Sequence, residues 1–413
     1  MKKHVSAIGW GFATKGITFL LFYALQIFLV RKLPVSVYGV WSLFYSAFIV
    51  SLFISECGIN SSARKYIAEH AETGCAGAVM SASFRLRLAA SAIFGAAIAL
   101  AAHPLAALLG HEELAPLFRV AGPMLFLAGI VEYYKSVFIG MRRINLNFWL
   151  NAAEHGAKLA LGAAAVYMAV KLPLGLAGSF TAALAVAATA GFFMERAVEH
   201  PSADGLPPKM EGRLMRYALP LFIYSALVTA MLEADTLILG ALKGAEAAGL
   251  YNAAKQIVAK GPHIAVAIGM GVMPAFARLA AHNRDEMRRL FNQLMLLNTA
   301  VIGTVALVIA LFGDKILLIL YGAKCLPAAP AFRMLSVFLL AASYATFLVN
   351  FLEYQGKAWR IAFNITVALG IDAAMLAVLA PRLGGLGAAM SLSAGFAVFA
   401  ALCWRDVKKS LEA

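Results

Sequence analysis

A chain of 413 residues that is 62% hydrophobic and 14% charged, with a mean hydropathy of +0.80, is not an ordinary soluble domain, in which about 25% of residues are charged. Its net charge of +14 suggests a nucleic-acid ligand, but the basic residues sit in short segments beside apolar stretches, where orienting a membrane protein accounts for them. No nucleic-acid partner is expected. The predicted fold is all-α and polytopic, because a transmembrane barrel would instead show short alternating segments.

In chain order, the MKKH start leads into an apolar run from about Ile8 to Val30, too long for the core of a signal peptide. It reads as an uncleaved first span. A span needs about 20 predominantly apolar residues. On that measure about twelve spans are predicted, at roughly 9–30, 39–60, 85–102, 117–140, 148–170, 175–195, 217–240, 249–277, 290–312, 328–353, 361–380 and 386–404. The longest stretch between spans, 196–216, contains HPSADGLPPK, and its Pro and Gly mark a linker. The expected organisation is an N-terminal six-helix lobe over 1–195, a cytoplasmic linker over 196–216 and a C-terminal six-helix lobe over 217–413.

With the N-terminus inside, the even-numbered spans return inward. Arg64, Lys65, Arg85, Arg87, Lys135, Arg142, Arg143, Lys209, Lys357, Arg360 and Arg405 then all belong to the inner segments. Such a bias predicts that both termini are cytoplasmic. An internal repeat points to two like-oriented halves. Tyr38-Gly39 opens the second span, which leads on to Arg64, and Gly249-Leu250-Tyr251 opens the eighth, which leads on to Arg278. Six spans separate the copies, so the lobes are expected to be pseudo-symmetric about an axis along the membrane normal. The four cysteines Cys57, Cys75, Cys325 and Cys403 are far apart and have no metal or redox spacing, so they read as apolar fillers.

The chemistry concentrates in the hairpin from Tyr217 to Arg278, whose two arms carry Glu233, Asp235, Lys255, Lys260 and His263. Ionisable groups inside spans are costly and face a bundle interior or a wet cavity. At 100° per residue, Asn252, Lys255, Gln256, Lys260 and His263 share one face of the eighth span, which favours an anionic ligand. Gly261-Pro262 should kink that span. Glu233 and Asp235 point about 200° apart, so only one can face a given cavity. Lys15 lies in a polar stripe of the first span, and a Lys15–Glu56 pair is expected. Glu154 and Lys158 have the spacing of an intrahelical ion pair. Asp372 lies in the eleventh span. No phosphate-binding loop and no H-E-x-x-H is present in the sequence, so the chain is not expected to be an enzyme or to carry a cofactor.

The segments VRKLPVSVYGVWSL, ECGINSSARKYIA and LPLFIYSALVTAMLEADTLILG…AAGLYNAAKQI together resemble the polysaccharide (oligosaccharide) flippases of the multidrug/oligosaccharidyl-lipid/polysaccharide exporter superfamily. The resemblance covers essentially the whole chain. It implies two six-helix bundles around a V-shaped cationic cavity. It also implies transfer of a polyprenyl-diphosphate-linked oligosaccharide across a bacterial plasma membrane by alternating access, for lipopolysaccharide or O-antigen biosynthesis. The lipid-linked oligosaccharide, membrane lipids and a polysaccharide polymerase or glycosyltransferases would be its partners. Lys15, Lys255 and Lys260, with Arg64 at the inner mouth, would then form a positive field for the diphosphate. A sodium site among spans seven, eleven and twelve of related flippases implies ion coupling by Asp235 and Asp372, with Na+ or H+ as the coupling ion and Ser391 or Ser393 nearby. Counted from Tyr217 and Ile361, the two carboxylates differ in depth by about 11 Å, which leaves their meeting in question. The alternatives are a cation-coupled multidrug exporter of the same superfamily, which would want carboxylates where the eighth span is basic, and a membrane polysaccharide polymerase or ligase, which would want a larger outer loop.

Overall fold

The computed structural model describes residues 2–70, 75–169, 172–198, 210–263 and 284–412, and every regular element among them is helical. The first eight helices are α1 (Lys2–Lys32), α2 (Val35–Glu56), α3 (Ile59–His70), α4 (Ala76–Leu100), α5 (Ala102–Leu108), α6 (Ala115–Gly140), α7 (Ile144–Tyr167) and α8 (Leu174–Arg196). The remaining six are α9 (Met210–Lys243), α10 (Ala245–Ala259), α11 (Arg284–Tyr321), α12 (Ala329–Tyr354), α13 (Ala358–Leu383) and α14 (Gly385–Glu412). Two compact units divide the chain, Met1–Ala226 and Leu227–Ala413.

Ten helices among the described residues are long and apolar enough to cross a membrane. To these α7 adds 24 helical residues whose polar Asn147, Asn151, Glu154 and Lys158 are all buried, and α10 is described only as far as its break at Lys260-Gly261. The protein is therefore an all-α polytopic membrane protein of the expected class. The centre of the predicted linker, the second half of the predicted eighth span and Arg278 lie outside the described residues.

Several helices outrun the predicted spans. α4 begins at Ala76 rather than near 85, and α9 at Met210 rather than 217, so the last part of the predicted linker is helix. Charged residues made the spans look shorter than they are, because a charge can stay in a helix when it finds partners. Arg87, counted with the inner segments, is buried and donates from Nη1 to the Ser55 carbonyl at 2.6 Å and from Nε to the Gly129 carbonyl at 3.3 Å. α11 also runs past its predicted end, with non-helical backbone at Phe312 (φ −119°, ψ 19°).

In the first unit α4 packs on α6, α6 on α8, and α7 on both α1 and α8. Without a hydrophobic drive between helices in lipid, close backbone approach over small residues is what binds them. At the α4–α6 contact a Cβ on Gly95 would lie 2.8 Å from the Gly122 carbonyl oxygen, and one on Gly122 would lie 2.8 Å from that of Gly95. A Gly122→Val change should therefore destabilise the protein by about 1–3 kcal/mol through overpacking, which a lowered unfolding temperature in detergent would show. An unchanged temperature would mean the two helices do not rely on this approach. In the second unit α14 packs on α12 and α13, and α11 and α10 pack on α12.

The internal repeat has a structural counterpart. Tyr38 of α2 takes a hydrogen bond from Gln26 of α1, and Tyr251 of α10 donates to Asp235 of α9 at 2.5 Å. In each unit, the tyrosine near the start of the second helix reaches back to a polar side chain of the first. The first unit has a neutral amide there and the second a carboxylate, so the equivalent positions differ in charge.

Candidate functional site

The second unit holds a buried cluster of charge built by α9, α10 and α13. Asp235 of α9 is 0% exposed and Lys255 of α10 is 1% exposed. The Lys255 ammonium donates to Asp235 Oδ1 at 2.7 Å, to the Leu232 carbonyl at 2.6 Å and to Thr236 Oγ1 at 2.6 Å. An ammonium has three protons, and these three acceptors use them all. Glu233 Oε2 stands 3.9 Å from the same nitrogen. The opposed directions of Glu233 and Asp235 do not keep them from one cation, because a lysine on a neighbouring helix reaches between them. Tyr251, one helical turn before Lys255, binds the other Asp235 oxygen.

Asp372 of α13 is 1% exposed, and its Oδ1 has no hydrogen-bond partner among the described residues. It lies within electrostatic range of both Asp235 and Lys255. The separation in depth expected from the sequence therefore does not keep the carboxylates apart. α9 has 34 residues, about 51 Å of helix against a hydrocarbon core of about 30 Å, so its first end overshoots and is a poor origin. Counted back from the last residues of their helices, Lys243 and Leu383, Asp235 and Asp372 lie about 12 and 16 Å along the axis.

α14 closes on this pocket through Gly395, where a Cβ would lie 2.8 Å from the Asp372 Cβ and 2.3 Å from the Met231 Cε. Ser391 and Ser393 of α14 are buried and give their protons to the carbonyls of Gly387 and Ala389, at 2.9 and 2.6 Å. Taken as ionised, Glu233, Asp235 and Asp372 together outnumber the Lys255 ammonium and leave the cluster short of positive charge. A buried charge is tolerated only when paired, so the pocket is chemically suited to take a cation. The orphaned Asp372 oxygen fits that role.

The first unit contains a balanced counterpart. Lys135 of α6 lies 2.7 Å from Glu132 and 2.5 Å from Glu154 of α7, and Lys158 lies 2.5 Å from Glu154. Two acids meet two bases and no charge is left over. The expected Glu154–Lys158 pair is thus part of a longer chain. Lys135, counted with the inner segments, sits inside α6 because these carboxylates receive it.

The other predicted residues are described each within its own unit. Lys15 of α1 is exposed, with Lys135, Glu132 and Arg64 in its electrostatic surroundings, while Glu56 has Arg87 nearest in effect. The expected Lys15–Glu56 pair is replaced by these neighbours. Arg64 of α3 is exposed and donates to Ser61 Oγ at 2.9 Å. Lys260 is half-buried at the end of α10, where the Gly261 N–H bonds back to the Val258 carbonyl and regular helix stops before Pro262. Sequence reasoning missed Tyr251, Thr236, Lys135 and Glu132. The i, i+4 spacing of Tyr251 and Lys255 was the signal that could have found the first.

The family model described as "Polysaccharide biosynthesis protein" matches residues 5–280, and one described as MatE matches residues 220–379. No curated protein matches the chain by sequence. Among solved structures, an inward-facing multidrug resistance MATE family transporter of the MOP superfamily is similar at 15% identity, with a TM-score of 0.79 and coverage of 96% of this chain and 94% of that one. A MOP superfamily transporter from Pyrococcus furiosus, titled for the reverse polarity of its binding pocket, is similar at 16% identity, with a TM-score of 0.70 and coverage of 100% and 96%. A eukaryotic MATE transporter is similar at 15% identity, with a TM-score of 0.68 and coverage of 100% and 97%.

These matches correct the flippase expectation. Multidrug MATE transporters match over almost the whole chain, and the MatE model covers most of the second unit that holds the charged cluster. The physical reason for the misreading has two parts. The motifs that carried the resemblance, small residues and a Tyr-Gly, serve helix packing and so are shared across the superfamily. The positive field invoked for a diphosphate also counted Lys255, whose charge is already met by Asp235. The fold is that of these membrane transporters.

Proposed function

The chain belongs to the polysaccharide biosynthesis protein family, and from that premise, its fold and the charge balance of the second-unit pocket we propose that it is a cation-coupled multidrug exporter working by alternating access. The observation that carries this reading is Asp372, a buried carboxylate with an orphaned oxygen beside an aspartate and a lysine that already balance each other. Asp372 and Asp235 would hold the coupling ion, Na+ or H+, where α14 approaches through Gly395. A bound cation offsets negative charge that Lys255 alone does not balance, and without the ion that charge stays uncompensated. A ligand shifts a conformational equilibrium only through such a difference in affinity between states. Export of an amphipathic substrate is driven when the ion moves the other way, as in an antiporter.

The carboxylates expected of a drug exporter are present beside the basic face of α10, as Glu233 and Asp235. We place both termini on the cytoplasmic side of a bacterial plasma membrane. The support is the positive-inside bias and the cluster of Lys357, Arg360, Arg405, Lys408 and Lys409 where α13 begins and α14 ends.

The test is efflux of a fluorescent cationic dye from proteoliposomes containing the purified chain. An imposed Na+ or H+ gradient should accelerate efflux, and an ionophore that dissipates that gradient should return it to leak. Equal efflux with and without either gradient would sink the proposal.

A further inference from the structure

At the end of the second unit where α13 begins and α14 finishes, cations outnumber the one buried carboxylate they surround. Asp406 of α14 is buried, and its Oδ2 accepts a hydrogen bond from Asn364 of α13 at 2.9 Å. Its Oδ1 faces two guanidiniums, Arg405 Nη2 at 3.4 Å and Arg360 Nη1 at 3.8 Å. Neither is the close contact of about 2.7–2.9 Å that a committed charge-assisted pair makes. The two side chains remain 56% and 53% exposed. Lys357 joins the same end through a hydrogen bond to Ser410, whose hydroxyl in turn donates to the Asp406 carbonyl.

Exposed aromatic side chains flank this charge. Trp359 is next to Arg360, and Phe363 follows one turn along α13, both on the exposed face of the helix. Trp404, next to Arg405, is partly exposed and packs its ring 6.0 Å from that of Phe291 of α11. Indole rings settle at the headgroup level of a bilayer, and basic clusters at span ends attract anionic lipid. A guanidinium matches a phosphate with a fixed fork of donors. Charges that only orient a span need no common target, whereas here the buried Asp406 gathers both guanidiniums at one place.

We infer that this end of the second unit binds the headgroup of an anionic phospholipid, its phosphate held by Arg360 and Arg405 and its acyl chain lying along Trp359 and Phe363. The apolar aromatic flank selects a lipid over a soluble phosphate. Asp406 sets the position of the two arginines and competes weakly for them.

The experiment titrates phosphatidylglycerol into phosphatidylcholine nanodiscs holding the full chain and follows the unfolding temperature and, by native mass spectrometry, the retained lipid. Phosphatidylglycerol should raise the unfolding temperature of the unaltered chain. Arg360→Gln with Arg405→Gln should weaken its binding about 25-fold, a factor of about five for each basic side chain at an anionic surface. Asp406→Asn should bind phosphatidylglycerol more tightly, because a competitor for the guanidiniums is gone. That variant keeps the test decisive even where the double arginine variant folds poorly. The inference is overturned if the double variant retains phosphatidylglycerol as the unaltered chain does, or if Asp406→Asn fails to tighten it. Displacement of the lipid by millimolar inorganic phosphate overturns it too, since the site would then be one for a soluble anion.

Discussion

Asp372→Asn is expected to remove the dependence of export on the cation gradient and to leave the protein folded in the membrane. The substitution keeps the shape of the side chain and removes a charge that has no counter-charge of its own in the pocket. Coupling between two ligands is typically worth a factor of about 5–150, so gradient-driven efflux should fall by about that range towards the uncoupled rate. The same variant separates coupling from folding. A ligand that binds only the folded state raises its stability, so the coupling cation should raise the unfolding temperature of the unaltered protein and not of Asp372→Asn. A variant that unfolds at the same temperature with and without the cation yet still responds fully to the gradient would place the coupling elsewhere.

The second large effect is expected at Lys255. Removing one partner of a buried ion pair leaves an uncompensated charge and costs about 3–5 kcal/mol. Lys255→Gln strands Asp235, Asp372 and Glu233 without their ammonium. Its folded yield in the membrane should drop sharply. Adding Asp235→Asn to Lys255→Gln removes the closest of the stranded charges and should restore part of the stability, because a buried pair replaced as a pair is often close to neutral. A double variant no better than the single one, judged by thermal unfolding in detergent, would show that Lys255 is held mainly by the Leu232 carbonyl and Thr236 rather than by Asp235.

The course of the helices was legible from hydropathy, since a bilayer of fixed thickness imposes a length on every apolar segment. Their ends were less so. Arg87 and Lys135 fall within predicted spans but are counted by their charge with the inner segments, and each is inside a helix because a distant residue meets it, Ser55 and Gly129 for one, Glu154 for the other. Those partners are 32, 42 and 19 positions away along the chain, so no local pattern carries them.

The same limit applies to the site. Lys255 and Asp235 were visible as costly residues in neighbouring spans, and their mutual neutralisation was one reading of them. Which reading wins depends on whether the ammonium has protons to spare, and that is a matter of three distances. Asp372 was visible in the eleventh span, its coupling role came through resemblance, and its depth counted from the wrong helix end argued against a shared pocket. The length of α9 beyond the bilayer reversed that conclusion.

The central claim, that cation and substrate share one cycle, is tested most directly by running the coupling backwards. Binding energies that couple two sites act equally in both directions. In proteoliposomes with no initial ion gradient, an imposed outward gradient of dye should drive Na+ or H+ inward, read by an ion-sensitive dye in the lumen. That ion movement should be absent with Asp372→Asn. Dye leaving with no accompanying ion movement from the unaltered protein would contradict the account.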